Sequence, residues 1–125
     1  MNTSAVNLPP LMEIDWQLVA DAGVVLVGAG AVGRPLIRGL AQLGLRRADI
    51  VDPKRYREQS IHSQCRPEEV GRLKAEAVAE ELTALGVQAV ALPRDAEHVP
   101  PGYFEKSLVI VSVDNRRAEI LANRQ

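Results

Sequence analysis

Aromatic residues and cysteine are scarce in this sequence. Phenylalanine, tryptophan and tyrosine together make up 3% of its 125 residues, so the core must be built from aliphatic side chains. The chain has a single cysteine, Cys65, which can form neither an internal disulfide nor, by itself, a zinc site. We therefore expect a fold that is stabilised by aliphatic packing rather than by cross-links.

A net excess of charge and a long hydrophobic run are also missing. Fifteen Lys and Arg residues against sixteen Asp and Glu residues leave a net charge of −1, so no basic field exists to hold nucleic acid or an anionic membrane. No apolar run approaches the ~20 residues that cross a bilayer, and residues 1–10 lack the cationic and apolar segments of a signal peptide. These absences predict a cytoplasmic protein without nucleic-acid or membrane partners, which binds any anion locally.

Short apolar runs alternate with amphipathic segments along the chain, which predicts an α/β fold of one domain. The run from Val24 to Val27 has no polar residue, as is typical of a parallel strand that is buried on both faces. The predicted strands are residues 24–27, 48–52, 87–92 and 107–113. The predicted helices are residues 12–20, 32–43 and 68–85, with a further helix from Asn115 onward.

Alternating strands and helices require right-handed crossovers. The sequence therefore predicts a Rossmann-like, doubly wound parallel sheet in the order 3-2-1-4, with helices on both faces. Because such a sheet has about six strands, we expect the chain to stop after the fourth strand of a longer fold or to be a minimal version of it. The uncovered edge of residues 107–113 would then favour a homodimer or a partner subunit. Residues 1–11 are predicted to be a flexible arm, followed by the domain at 12–125.

A glycine-rich motif lies between the first predicted strand and the helix that follows it. Gly28, Gly30 and Gly33 form the pattern G-x-G-x-x-G. The first two glycines let the backbone turn tightly and approach a phosphate, and the third lets helix and sheet pack closely. The motif predicts a nucleotide or dinucleotide site. The alternative is a tight turn in a domain that has lost its ligand.

Asp52 and Lys74 are charged residues that suit such a site. Asp52 lies 24 residues after Gly28, at the end of a predicted strand, where a carboxylate can accept both ribose hydroxyls or can simply cap the next loop. Lys74 projects into the apolar side of its predicted helix and needs an anionic partner, such as ATP phosphates, to offset its desolvation. The alternative is a lysine stem packed on apolar surface, with its ammonium group in water.

Asp114 and Asn115 close the fourth predicted strand, at the edge where open α/β sheets bind ligands. A carboxylate beside phosphates implies a bridging magnesium ion. The alternative for either residue is a helix cap. Cys65 and His62 could suggest a nucleophile and its base, but no acid that would orient the histidine is identifiable, so we assign them no catalytic role.

Taken in order, these motifs resemble the ThiF/MoeB family, whose adenylating fold is shared with ubiquitin-activating enzymes. The resemblance extends over about residues 22–125 and rests on the glycine loop 28–33, Val51-Asp52-Pro53, Gln64, residues 70–75 and Asp114-Asn115. Family members use ATP and magnesium to activate the C-terminal carboxylate of a ubiquitin-like or sulfur-carrier protein, and they release pyrophosphate.

The resemblance implies a role for each matching residue. Asp52 would hold the ribose, Lys74 the phosphates and Asp114 the magnesium-bound end of the phosphates. Lys74 and Asp114 would be the catalytic residues, which act by positioning and by stabilising charge. The cofactor-binding residues would be Gly28, Gly30, Gly33, Asp52, Gln64, Lys74 and Asp114.

The chain departs from the family pattern after Asp52. Lys54 takes an acidic position, Ser60 and Ser63 replace an asparagine and a phosphate-binding arginine, and Glu119 stands where arginine is frequent. Removal of one preorganised donor raises a reaction barrier by roughly 3 to 4 kcal/mol. We therefore expect the isolated chain to show no pyrophosphate exchange.

Three functions remain open at this point. The first is an adenylating enzyme domain, and the second is a noncatalytic relative that serves as a partner subunit or binding module. The third is an NAD(P)-binding oxidoreductase domain, which the glycine loop and Asp52 support but Lys74 and Asp114 do not. We predict that the chain prefers ATP with magnesium over NAD.

Overall fold

The computed structural model describes residues 2–7, 23–100, 102, 108–112 and 119–124, the first and last of these ranges by their backbone. Its strands are β1 (Asn2–Asn7), β2 (Val24–Val27), β3 (Arg47–Val51), β4 (Gln88–Leu92), β5 (Leu108–Val111) and β6 (Glu119–Arg124). Its α-helices are α1 (Gly33–Gln42) and α2 (Lys74–Ala84), and short 3-10 helices cover Glu58–His62, Pro67–Glu69 and Ala96–His98. Within these ranges, no helix has the length and apolar character needed to cross a membrane.

The strands form one sheet in the order β1-β6-β5-β2-β3-β4. Strands β5, β2, β3 and β4 are parallel, and Val24 of β2 lies between Ala48 of β3 and Leu108 of β5. This is the predicted order 3-2-1-4. The Rossmann-like α/β fold is therefore confirmed.

Strand β2 is buried on both sides of the sheet. Val24 and Leu26 belong to the core cluster that contains α1 and α2, whereas Val25 and Val27 pack on the other side with Val99 from the connection after β4. None of the β2 side chains is more than 8% exposed. Burial on both sides explains why this run has no polar residue. Both described α-helices lie on the same side.

The helix predicted for residues 68–85 is shorter in the structure, because α2 begins at Lys74. Before it, Glu69 ends a 3-10 helix and accepts a hydrogen bond from the backbone N–H of Arg66 (2.9 Å). Gly71 then adopts φ +91°, a left-handed conformation that a continuous right-handed helix cannot contain. Leu85, the last residue of the predicted helix, follows α2 and is 45% exposed.

The two ends of the chain also differ from expectation. Residues 2–7, predicted as part of a flexible arm, form β1, and Glu119–Arg124, predicted as helix, form β6. Strand β6 pairs antiparallel with both β5 and β1, so the edge of β5 that we expected to be uncovered is paired. This pairing gives the N–H and C=O groups of that edge the hydrogen bonds they would otherwise lack. The helix predicted for residues 12–20 lies outside the described residues.

Candidate functional site

A crevice opens at the carboxyl ends of the parallel strands, where the loops after β2 and β3 meet the end of β5. Its volume is about 930 Å³. This is the edge at which open α/β sheets bind ligands. Of the predicted site residues, Gly28, Gly30, Asp52, Gln64 and Lys74 line it.

The glycine loop needs glycine for two different reasons. Gly28 adopts φ +98° while its N–H donates to the carbonyl oxygen of Val51 (2.9 Å), so the chain turns sharply as it leaves β2. A Cβ at Gly33 would collide with the carbonyl oxygen of Gly28 and would lie 3.3 Å from the Cβ of Ser112. Gly33 does not line the crevice; it lets α1 begin close against the sheet. This is the packing role expected of the third glycine.

The same loop keeps backbone donors available. No group in the described part of the chain accepts a hydrogen bond from the N–H of Gly30 or Ala31. These N–H groups lie just before the N-terminus of α1, where the helix dipole favours an anion. The loop can therefore accept a phosphate without giving up hydrogen bonds described within the fold.

Asp52 joins the glycine loop to the loop after β3. Its Oδ2 accepts from the N–H of Ala29 (2.9 Å), its Oδ1 accepts from the N–H of Lys54 (2.8 Å), and the residue is 6% exposed. The capping alternative is therefore part of what this residue does. Each carboxylate oxygen can accept a second hydrogen bond, so contact with ribose hydroxyls stays a prediction.

Lys74 and Gln64 meet in the crevice. The ammonium group of Lys74 donates to Oε1 of Gln64 (3.0 Å) and lies 5.4 Å from the centre of the Tyr56 ring. Burial lowers the pKa of Lys74; the Asp52 carboxylate opposes this shift, and the positive charge of Lys54 adds to it. Lys74 is the first residue of α2 rather than a residue in the apolar side of a longer helix. Its cationic group therefore faces a cavity with a neutral amide as its hydrogen-bond partner.

Tyr56 is a residue of this site that sequence reasoning missed. It is 1% exposed, and its hydroxyl donates to the carbonyl oxygen of Ala29 in the glycine loop (2.9 Å). Burial raises the pKa of Tyr56 to about 12. Arg34 lies 5.3 Å from the centre of its ring, about as near as Lys74. Its position could have drawn attention to it, because an aromatic residue in a polar loop is unusual in a chain that is 3% aromatic.

Arg34 is a second residue that sequence reasoning missed. It does not line the crevice, but it holds the backbone of Gln64, which does. It is 3% exposed, and its guanidinium donates to both carboxylate oxygens of Glu69 (3.0 and 2.8 Å) and to the carbonyl oxygen of Gln64 (3.2 Å). Burial raises the pKa of Glu69, but hydrogen bonds from Arg34 and from the backbone of Arg66 outweigh it and hold the pKa at about 2. The spacing of Arg34 from Ile37, one turn along the apolar stripe of α1, could have indicated a buried arginine.

Ser60 organises the loop that carries Gln64. Its hydroxyl accepts from the N–H of Arg57 (3.0 Å), and its carbonyl oxygen accepts from the N–H groups of Gln64 (2.7 Å) and Cys65 (3.1 Å). Ser60 is thus a structural residue of the loop, although it also lines the crevice. Cys65 and His62 lie along a separate groove of about 700 Å³ between α1 and α2, and burial raises the pKa of the Cys65 thiol.

Ser112 follows β5 and places a hydroxyl group at the crevice. The residue is 4% exposed, and its Oγ has no hydrogen-bond partner among the residues that the structure describes. A buried polar atom of this kind is costly unless something binds it, and a nucleotide in the crevice would offer partners. The residues present therefore fit a nucleotide. Asp114 and Asn115 lie outside the described residues, so the magnesium role of Asp114 stays a prediction.

Comparison with known proteins gives the same architecture. The model of the ThiF family matches residues 4–125. The structure of E. coli MccB has a TM-score of 0.69 and 21% identity over 81% of this chain and 30% of that chain. The structure of E. coli TcdA, a tRNA N6-threonylcarbamoyladenosine dehydratase, has a TM-score of 0.66 and 26% identity over 82% of this chain and 46% of that chain. The chain thus spans less than half the length of these neighbours. A search of curated proteins found no match.

Proposed function

The chain belongs to the ThiF family, and on that premise we propose that it is the ATP-binding part of a domain that adenylates a carboxylate. The observation that carries the proposal is the crevice itself, which brings Gly28, Gly30, Asp52, Gln64 and Lys74 together from four separate segments of the sequence. TcdA has been solved in complex with ATP and with AMP. Spatial convergence of the residues that carry the family resemblance supports ATP as the ligand.

Each residue has a distinct task in this proposal. The N–H groups of Gly30 and Ala31 receive a phosphate, Asp52 orients the ribose, and Lys74 balances the charge that builds at the α-phosphate. The carboxylate oxygen of the acceptor attacks the α-phosphorus, the bond to the β-phosphate breaks, and pyrophosphate leaves. Catalysis is then positioning and electrostatic stabilisation, which suits a crevice with preformed donors.

Magnesium belongs to the proposal through Asp114. Asp114 would hold the ion, and the ion would supply positive charge that reduces the repulsion among the phosphate groups. The acceptor, the C-terminal carboxylate of a ubiquitin-like or sulfur-carrier protein, is proposed from the family resemblance alone. The ATP site does not depend on either assignment, so a result against the magnesium site or against this acceptor would leave the ATP site in place.

The direct experiment is calorimetric titration of the chain with ATP and magnesium, and separately with NAD and NADP. We expect binding of ATP to be tighter, because Lys74 suits a polyphosphate. Tighter binding of NAD or NADP than of ATP would replace this proposal with an oxidoreductase domain.

A noncatalytic relative is the second candidate, and the loop around Ser60 favours it. The Ser60 hydroxyl is engaged with the backbone of Arg57, and Ser63 can supply no positive charge to a phosphate. We expect the isolated chain to bind ATP without exchanging pyrophosphate. Exchange of labelled pyrophosphate into ATP, measured with a ubiquitin-like acceptor present, would exclude this candidate.

A further inference from the structure

Arg57 differs from the other arginines of the loop between β3 and α2. Arg55 donates to the carbonyl oxygen of Gly71 (2.9 Å), Arg66 lies 3.6 Å from Glu68 and Glu69, and Arg72 pairs with Glu80. The guanidinium of Arg57 has no hydrogen-bond or ion-pair partner among the described residues, and it lines the crevice. A cation without a partner at a cavity wall is available to a ligand.

Arg57 also lies within a group of like charges. Lys54, Arg57 and Lys74 all line the crevice, and the first two each lower the pKa of the third, in addition to the effect of burial. Like charges that are gathered in this way repel one another, and an anion bound among them removes the penalty.

The carboxylates of the same crevice form no ion pair with these cations, although Asp52 acts on Lys74 at longer range and raises its pKa. Both oxygens of Asp52 accept backbone N–H groups, and Asp95 and Glu97 are exposed at its mouth. Among the described residues, no carboxylate lies within ion-pair distance of Lys54, Arg57 or Lys74. The local excess of positive charge is therefore available to a bound anion.

We propose that Arg57, assisted by Lys54, forms a cationic wall that binds the outer phosphates of a polyphosphate and so makes the crevice select triphosphates over monophosphates. The assignment rests on the proposed function, in which the crevice holds ATP. In this arrangement the glycine loop binds the phosphate nearest the ribose, and the cationic wall binds the outer phosphates. The preference for triphosphates then comes from Lys54 and Arg57, in the same loop whose Ser60 and Ser63 supply no positive charge.

The experiment compares Arg57→Gln with wild type for ATP and for AMP by calorimetry. We expect the variant to bind ATP about tenfold more weakly, since it loses a charge-assisted contact, and to bind AMP within about twofold of wild type. Arg72→Gln is the matched control and should change neither affinity. The fold should survive, because Arg57 contributes its backbone to the Ser60 contact and has an ordinary extended conformation, φ −115° and ψ 172°.

The outcomes separate this assignment from the proposed function. An unchanged affinity of Arg57→Gln for ATP, in a wild-type chain that binds ATP, overturns the cationic wall and leaves the ATP site in place. If the wild-type chain binds no ATP, the proposed function fails, and inorganic tripolyphosphate becomes the probe. Tripolyphosphate binding that weakens in Arg57→Gln but not in Arg72→Gln would support the wall, and its absence would overturn the wall as well.

Discussion

The loop that connects β3 to α2 contributes to two groups of charged residues, which are arranged in opposite ways. The paired cluster, on the side of α1 and α2, joins Arg34, Arg38, Glu69 and Glu81 through ion pairs of 2.8 to 3.1 Å. The crevice cluster consists of Lys54, Arg57 and Lys74, which have no ion-pair partner among the described residues. The first cluster therefore joins segments of the fold, whereas the charges of the second remain unpaired within the described residues, as the proposed ATP site requires.

The paired cluster explains how a polar loop is held in place next to the crevice. Arg34 binds Glu69 near the end of the loop, Glu81 on α2 and the backbone of Gln64, so one side chain fixes three segments. Gln64 in turn accepts from Lys74. The position of a crevice cation therefore depends on a residue that does not itself line the crevice.

The largest expected effect is on stability and comes from Arg34→Met. Removing one partner of a buried ion pair leaves Glu69 uncompensated, which costs about 3 to 5 kcal/mol of unfolding free energy. Urea denaturation followed by circular dichroism measures it. The control is Arg72→Met, whose exposed pair should contribute less than about 1 kcal/mol. Equal losses in the two variants would show that the paired cluster is no more important than a surface pair.

The second prediction concerns acid and again separates the clusters. The pKa of Glu69 is about 2 in the fold and about 4.3 in the unfolded chain. Its ion pair therefore contributes its full stabilisation at pH values above the pKa of the unfolded chain. This contribution is lost as the pH falls from about 5 toward 2. Unfolding free energies measured across that range should fall steeply for wild type and less steeply for Glu69→Gln. Parallel curves would contradict the prediction.

Lys74 should affect stability in the same direction, but on the alkaline side and by relief of a penalty rather than by gain of an ion pair. Burial lowers the pKa of Lys74 in the fold. At pH values between this lowered pKa and the ordinary lysine pKa of about 10.4, the unfolded chain therefore binds more protons than the folded chain. Stability attributable to Lys74 therefore rises as the pH increases through this interval. A stability profile that falls more steeply there in wild type than in Lys74→Met would show that the crevice cation is already paired.

The fourth prediction concerns affinity and the Lys74→Ala variant. Loss of a charge-assisted contact should weaken ATP binding by about 1.5 to 3 kcal/mol, as measured by calorimetry. The melting temperature should hardly change, because Lys74 is the first residue of α2 and its partner is neutral. If the melting temperature drops and the ATP affinity stays, Lys74 belongs with the paired cluster.

The smallest effect is expected from Ser112→Ala. Its Oγ has no partner within the described residues, so its removal should leave the unfolding free energy unchanged or slightly higher. A ligand that binds this hydroxyl should lose about 0.5 to 1.5 kcal/mol of affinity. Thermal unfolding with and without ATP distinguishes the two. Clear destabilisation without ATP would mean that the hydroxyl is bonded inside the fold.

Much of the fold was predictable because it depends on local pattern. Residues 24–27 are apolar throughout, since both faces of β2 are covered, and Gly44 stops α1 with φ +107°. The beginning of α2 was not predictable from periodicity, because Gly71 breaks a stripe that otherwise continues from Val70 into the helix. The two antiparallel strands at the ends of the chain depend on each other and on β5, which no local window contains.

The site divides in the same way. Gly28, Gly30 and Asp52 could be placed by spacing, because the end of a parallel strand always lies at the same edge of the sheet. Spacing could not place Tyr56 or Ser112. Tyr56 matters because its hydroxyl contacts Ala29, and Ser112 matters because its hydroxyl has no partner among the described residues. Both facts involve residues far apart in the sequence.

Apolar runs, periodicity and glycine spacing are local patterns, so they suffice to predict the strands and the glycine loop, and the crossover rule then predicts the strand order of the parallel sheet. The pairing of the charges, in contrast, depends on the tertiary structure. Arg34 and Arg57 are chemically identical, yet the fold brings two carboxylates to the first and places the second at a cavity wall. The free energy of a charge depends on the groups that surround it in space, and those groups come from distant parts of the chain.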